Sequence, residues 1–375
     1  MPNPAESLRQ LATAGLLRSQ RPIDSPTGIR IEREGRTLWN FASNDYLGLA
    51  RHPEIEAAFT EGVQRFGAGS AASRLVCGTL PPHRSLEIAL AEAKQTEAAL
   101  TFSSGFATAM GVIPAVVGKS DFVFLDKLSH ACLVDAARLS GAILRVFPHN
   151  DLEKLERLLV STRAKSPTAR ILVATESVFS MDGDLCPLRE IVGLTETYDA
   201  LLLLDEAHGF GVLGEHGMGL TEQENLQQRI AFQMGTLSKA AGLSGGYLAA
   251  SKDWIDLLTN RARSFIYSTA PPPALAHAAL ASLNLIRSDA GKKLRENLQN
   301  NIAKITTGGT PIVPIVLGSN EDALAASATL EQAGFLVPAI RYPTVPRGTA
   351  RLRVSLSAAH PPEAIAQLKF ELAKA

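Results

Sequence analysis

The chain has 375 residues, 46% of them hydrophobic and 20% charged, with 37 basic side chains against 37 acidic ones. That length suggests roughly two domains and a large buried core. Cancelled charge leaves no basic excess to hold phosphate backbones or an anionic membrane face, which argues against nucleic-acid binding.

Cys77, Cys132 and Cys186 are odd in number, far apart and unlike any metal-ligand spacing. They predict reduced thiols, no disulfide framework and no metal site. The first residues lack the basic start and apolar core of an export signal, and no uncharged run reaches about 18 residues. A cytoplasmic protein without a membrane span is expected.

Leu8, Leu11, Ala12 and Leu16 recur at helical spacing, so residues 1–17 predict an amphipathic helix on the body or on a partner, ended by Pro22 and Pro26. TFSSGFATAM, residues 101–110, reads as a strand turning into a helix at Ser104, Gly105 and Phe106. From there short β-rich runs alternate with helical stretches: residues 121–126, 142–147, 170–176 and 200–207. Strands apolar on both faces are buried on both faces, the mark of a mostly parallel sheet covered by helices. YSTAPPPA, residues 267–274, interrupts regular structure and marks a domain boundary. Beyond it lie a long helical pattern from Pro273 to about Asn301, TPIVPIVLG, a helix from Glu321, and RLRVSLSAAH. The predicted organisation is an N-terminal helix and arm over 1–45, a large α/β domain over 46–272, and a smaller α+β domain over 273–375.

LLLLDEAHGFGVLGEHGMG, residues 201–219, supports three competing motifs. Gly209-x-Gly211-x-x-Gly214 spells a dinucleotide fingerprint, but Asp205 to His208 intervene between strand and glycine, and Gly217 and Gly219 leave no helix to meet a pyrophosphate. Asp205-Glu206-Ala207-His208 spells a helicase box, with Gly118-Lys119-Ser120 imitating a phosphate loop. That loop needs a glycine five positions earlier, where Ile113 stands. The third reading pairs Asp205 with Lys239 in FQMGTLSKAAGLSGGYLA, on a turn after a strand among small, mostly uncharged residues. Partial desolvation there lowers an amine pKa, the condition for a Schiff base. With the helix start at Ser104, Gly105 and Phe106 for one phosphate, these residues outline a pyridoxal phosphate (PLP) site.

At this point the chain resembles the α-oxoamine synthases, PLP enzymes of the aspartate-aminotransferase fold (fold type I). SNDYLG, SSGF, LSHAC, TESVFSMDGD, LDEAHGFGVLGEHG, GTLSKAAGLSGG and YST occur in family order, from FASNDYLGLA at 41 to RLRVSLSAAH at 351. AIRYPTVPRGTARLRVSLSAAH, residues 339–360, is most similar to the members that join L-alanine to a pimeloyl thioester with loss of carbon dioxide. Sister synthases acting on glycine, such as glycine C-acetyltransferase and 5-aminolevulinate synthase, are the alternative. Tyr342 stands where proline is commoner in that subgroup, and Ser238 where glycine is frequent.

The resemblance implies a role for each matching residue. Lys239 holds the cofactor and acts as base, Asp205 pairs with the ring nitrogen, His208 reaches the ring hydroxyl, and His130 stacks on the ring. Gly105, Phe106 and Thr236 serve the phosphate, Ser180 the ring hydroxyl region, and Thr269 adds a phosphate bond from the neighbouring subunit. Asn44 and Arg353 take the alanine carboxylate, Arg353 being open to the rival reading of an exposed strand residue beside Arg351. Arg18, Arg341 and Thr344 line the same wall, Arg21 competing with Arg18. A homodimer with active sites at the interface is implied, its acyl donor carried on coenzyme A or acyl carrier protein.

Overall fold

The computed structural model describes residues 3–374. The apolar runs form the strands Phe122–Asp126, Ile143–Phe147, Ile171–Glu176 and Leu201–Asp205. Ala98–Phe102, Phe232–Thr236 and Gly246–Ala250 join them in a seven-stranded sheet. Its spatial order begins with Ala98–Phe102 and continues through the strands starting at Gly246, Phe232, Leu201, Ile171, Phe122 and Ile143. Every pairing is parallel except the two made by Gly246–Ala250. Helices Gly105–Val116 and Ala131–Ser140 bury Val112, Ile113, Leu133 and Ala137 in a core with Leu172, Leu203, Phe232 and Leu248 from the strands. This is an α/β architecture, a mostly parallel sheet covered by helices, as expected.

Parallel strands end at the same edge of a sheet, which is where such folds bind ligands. Asp126, Glu176, Asp205 and Thr236 are the last residues of four neighbouring strands. Strand direction alone therefore gathers three carboxylates and a hydroxyl at one edge.

The chain divides into two compact units, one of Leu49–Ser180 with Asp184–Arg295, the other of residues up to Gly48, Met181–Gly183 and everything from Glu296. The division thus falls later than the expected boundary near Pro273. Helix Pro273–Arg287 lies on Pro53–Phe66 and Pro81–Ala93 of the larger unit, and Gly62 admits Ala274 so closely that a Cβ there would sit 2.7 Å from its Cα. The N-terminal arm is no separate piece either: Trp39 pairs in parallel with Phe335 in the smaller unit. That unit holds two three-stranded sheets, one of Arg30–Arg33, Arg36–Asn40 and Phe335–Leu336, the other of Ile312–Gly318, Ala350–Ser355 and Ala339–Ile340.

Two helical expectations are corrected. The pattern from Pro273 to about Asn301 is two helices, Pro273–Arg287 and Asp289–Ala303, broken at an extended Ser288 whose hydroxyl accepts the Gly291 amide at 3.3 Å. The first helix is Pro4–Thr13, none of its residues buried. Its end is set not by Pro22 but by Gly15 at φ +63°, after which the Leu16 amide returns to the Leu11 carbonyl. Among the described residues no helix is long and apolar enough to cross a membrane.

Candidate active site

A cavity of about 200 Å³ at the carboxyl edge of the sheet is lined by thirteen residues from Ser104 to Lys239. Gly105, Phe106, His130, Asp205, His208, Thr236 and Lys239 are all among them. The sequence places these residues far apart; the parallel sheet brings them together.

Lys239 stands on a loop bonded to itself. The Leu237 amide donates to Gly245 O at 3.0 Å, the Leu243 amide to Leu237 O at 3.0 Å, and the Gly242 amide to Lys239 O at 2.8 Å. Thr236 Oγ1 donates to Gly245 O at 2.8 Å. Lys239 is half-buried, its Nζ 2.6 Å from His208 Nε2. The amine therefore lies directly against the imidazole.

Asp205 ends its strand almost fully buried and accepts the Ala207 amide at 2.9 Å. Burial raises its pKa, with Lys239 and that amide pulling the other way. The glycines beyond it serve Glu206. This fully buried carboxylate accepts the amides of Leu220 and Thr221 at 3.1 and 2.9 Å. A Cβ on either Gly209 or Gly219 would lie 2.3 Å from its Oε2. The helix that follows the glycines, Leu220–Gln223 after Gly219, is a single turn, and its Leu220 and Thr221 amides are already taken by Glu206 rather than open to a pyrophosphate, which disposes of the dinucleotide reading. The Gly118 amide is taken by Asp121 Oδ2 at 2.9 Å, so Gly118-Lys119-Ser120 is a turn between helix and strand.

Glu176 also lines the cavity, and sequence reasoning passed over it. It is the register partner of Asp205, and its carboxylate accepts the backbone amides of His130 and Ser180. Burial, then the Asp205 charge, pushes its pKa up to about 8. Its signal was positional: it ends a strand beside one ending in Asp205.

His130 caps the Ala131–Ser140 helix, its Nδ1 accepting the Cys132 amide at 3.2 Å. Burial lowers its pKa, and Lys239 adds to this against the pull of Asp205. The ring is neutral with its proton on Nε2. Ser104 Oγ caps the Gly105–Val116 helix through the Ala107 amide at 3.0 Å, while first-turn amides have no partner within a helix. Those amides, with the Thr236 and Ser238 hydroxyls 2.8 Å apart, suit a phosphate. Together with a buried carboxylate, a wall imidazole and an amine, the lining fits PLP.

Ser180 and Thr269 do not line the cavity. Ser180 is buried on a turn with its amide on Glu176. Thr269 is exposed and bridges to Ser73. In the smaller unit Arg353 is buried rather than exposed, its Nη1 donating to Ser355 Oγ at 2.7 Å and Asn44 Oδ1 at 3.1 Å. Arg351 is engaged by Asp182 at 2.6 Å. Arg18 donates to Thr344 Oγ1 at 3.2 Å and Arg341 to the Gly15 carbonyl, while Arg21 holds Glu331 by two bonds of 2.9 and 2.7 Å. Arg18, not Arg21, stays with Thr344.

Residues 36–369 match the family model for aminotransferase class I and II. An 8-amino-7-oxononanoate synthase from Geobacter sulfurreducens is 49% identical over 367 residues, 95% of this chain and 93% of that protein. The chain belongs to the 8-amino-7-oxononanoate synthase family. Another synthase of that name, from Methylobacterium sp. strain 4-46, is 48% identical over 99% of this chain and 96% of its own. Among solved structures, a serine palmitoyltransferase from S. paucimobilis with PLP and myriocin bound has a TM-score of 0.92 at 28% identity, covering 98% of this chain and 96% of that one. An 8-amino-7-oxononanoate synthase from Francisella tularensis has a TM-score of 0.77 at 27% identity, covering 90% and 97%. The backbone is shared with sister enzymes, and sequence identity separates the synthase from them.

Proposed function

We propose that the protein makes 8-amino-7-oxononanoate, joining L-alanine to a pimeloyl thioester with loss of carbon dioxide, a step of biotin biosynthesis. It is a PLP-dependent acyltransferase. The carrying observation is Lys239 Nζ at 2.6 Å from His208 Nε2, over a cavity that Asp205 and His130 also line.

Bound PLP supplies an electron sink that stabilises negative charge on the carbon beside the substrate amine. Asp205 holds a proton on the ring nitrogen, which its burial at the strand end suits. His208 would meet the ring hydroxyl, and His130 would pack against the ring, since both line the cavity. The amides of Gly105 and Phe106 and the Thr236 hydroxyl hold the phosphate, and Ser180 serves the ring hydroxyl. Lys239 anchors the cofactor and, once released, takes the α-proton of alanine and later returns one to the product carbon. Arg353, with its fork fixed by Ser355 and Asn44, takes the alanine carboxylate. Arg18, Thr344 and Arg341 contact the acyl substrate.

The reading includes a homodimer in which Thr269 reaches the neighbouring subunit's phosphate, supported by its exposure outside its own cavity lining. It also includes a cytoplasmic setting, in keeping with three free cysteines, and a donor on coenzyme A or acyl carrier protein. PLP-loaded protein given labelled alanine or glycine with pimeloyl, acetyl and succinyl thioesters tests the substrates. Alanine with the pimeloyl donor should give labelled product and carbon dioxide; turnover of glycine alone would point to a sister synthase instead.

A further inference from the structure

His149 lies outside the cavity lining, yet its ring is gripped on both sides. Nδ1 lies 3.0 Å from Asp126 Oδ1 and Nε2 lies 2.7 Å from Asp184 Oδ2. Carboxylates only accept, so both ring nitrogens must donate, and a ring that donates from both carries a proton on each. Burial opposes that charge, but the two carboxylates outweigh it and raise the pKa above the usual imidazole value. Asp126 and Asp184 are the charged groups that face the ring; Asn150 and Phe179 complete its surroundings.

One end of this bridge is fixed. Asp126 ends a central strand, and its carboxylate also accepts the amides of Leu128 and Asn150, both at 2.8 Å. The other end lies on the turn that carries Ser180. That turn closes through a bridge between Val178 and Leu185 and through the Phe179 amide donating to Asp184 O at 3.0 Å. The imidazole meets Phe179 edge to face, centroids 4.3 Å apart, and Asp184 by hydrogen bond. Asn150 Nδ2 adds a bond to Leu185 O at 3.1 Å. Ser180 therefore sits between two residues that His149 touches, while its own amide is held by Glu176.

We infer that His149 is a positioning residue for the cofactor site: by tying the turn Phe179–Asp184 to the end of the Phe122–Asp126 strand, it fixes where Ser180 meets the bound cofactor. The inference rests on the reading of Ser180 as a cofactor contact. Bonds that orient metal-ligating side chains are worth about 10- to 100-fold in affinity or activity, and a loss toward the lower end of that scale is expected here. The bridge is intact while the ring holds both protons. It is lost as pH rises through the raised pKa, when one nitrogen can no longer donate.

The test titrates apo protein with PLP by absorbance across pH and follows hydrogen exchange over residues 177–186. Parent, His149→Ala, Asp184→Ala and Ser180→Ala proteins are compared. Asp184 is 43% exposed, so its variant removes the outer half of the bridge even if the histidine variant folds poorly. The expected result is faster exchange over the turn in both bridge variants and cofactor affinity weaker by about tenfold. The parent, but not His149→Ala, should lose turn protection as pH rises through the His149 titration, and His149→Ala should add little in a Ser180→Ala background. Unchanged exchange in both bridge variants overturns the proposal. Faster exchange with unchanged affinity also overturns it; Ser180→Ala then separates the causes, since unchanged affinity there means that the serine reading has failed.

Discussion

Glu176 and Asp205 stand side by side as register partners on neighbouring parallel strands, both buried and both lining the cavity. Two carboxyl groups so placed do not both ionise near neutrality. Glu176, pushed up to about 8, holds the proton near neutrality, whereas Lys239 pulls the Asp205 pKa back against burial, so the charge of the pair falls on the residue proposed to meet the cofactor.

Glu176→Gln keeps the shape and neutrality of the protonated acid, so turnover should stay within about threefold of the parent. Asp205→Asn removes the charge proposed to face the ring and should lower kcat by on the order of 10² or more. Steady-state kinetics of the two variants checks this. Equal losses would place the proton elsewhere.

Gly219→Ala forces a Cβ to 2.3 Å from the buried Glu206 carboxylate at a φ of +95°. The change should destabilise the protein by about 1–3 kcal/mol, seen as a lower urea midpoint. Gly35→Ala is the control, because its φ is +73° but nothing lies within 4 Å. It should show only the backbone penalty.

His360 is buried, stacked on Phe41 at 4.1 Å, and bonded to the Ser357 amide and the Asn40 carbonyl, both at 3.0 Å. Burial depresses its pKa to about 4. The unfolded chain binds this proton near pH 6.5 and the folded chain only near 4, so stability falls as pH drops through that window. The loss from this group reaches up to about 3 kcal/mol. Urea unfolding at pH 7 and 4.5 should show it in the parent and a smaller acid loss in His360→Gln.

Arg353→Lys keeps the charge but not the fork. KM for alanine should rise by about tenfold or more, with a smaller change in kcat. An unchanged KM would mean that the carboxylate is held by another group.

The strands, and the convergence of Asp205 and Lys239 on one cavity, were legible because buried parallel strands write themselves as apolar runs and their ends carry the polar exceptions. Glu176 was not, since an acid closing RILVATE matters only once the neighbouring strand is known. The break at Ser288 was hidden because residues flanking it keep a helical pattern on both sides. The boundary moved because three prolines at 271–273 look like a linker, whereas Pro273 opens a helix that the larger unit needs. Tertiary partners, not local propensity, decided each of these.

The thirteen residues of the cavity lie between Ser104 and Lys239, and the unit that holds them ends at Arg295. The smaller unit joins the first 48 residues to the stretch from Glu296 onward. Chains fold from the N-terminus as they are synthesised, domain by domain. The cavity can therefore form before the stretch from Glu296 onward is made, while residues 3–48 wait for that stretch to supply their sheet and ion-pair partners.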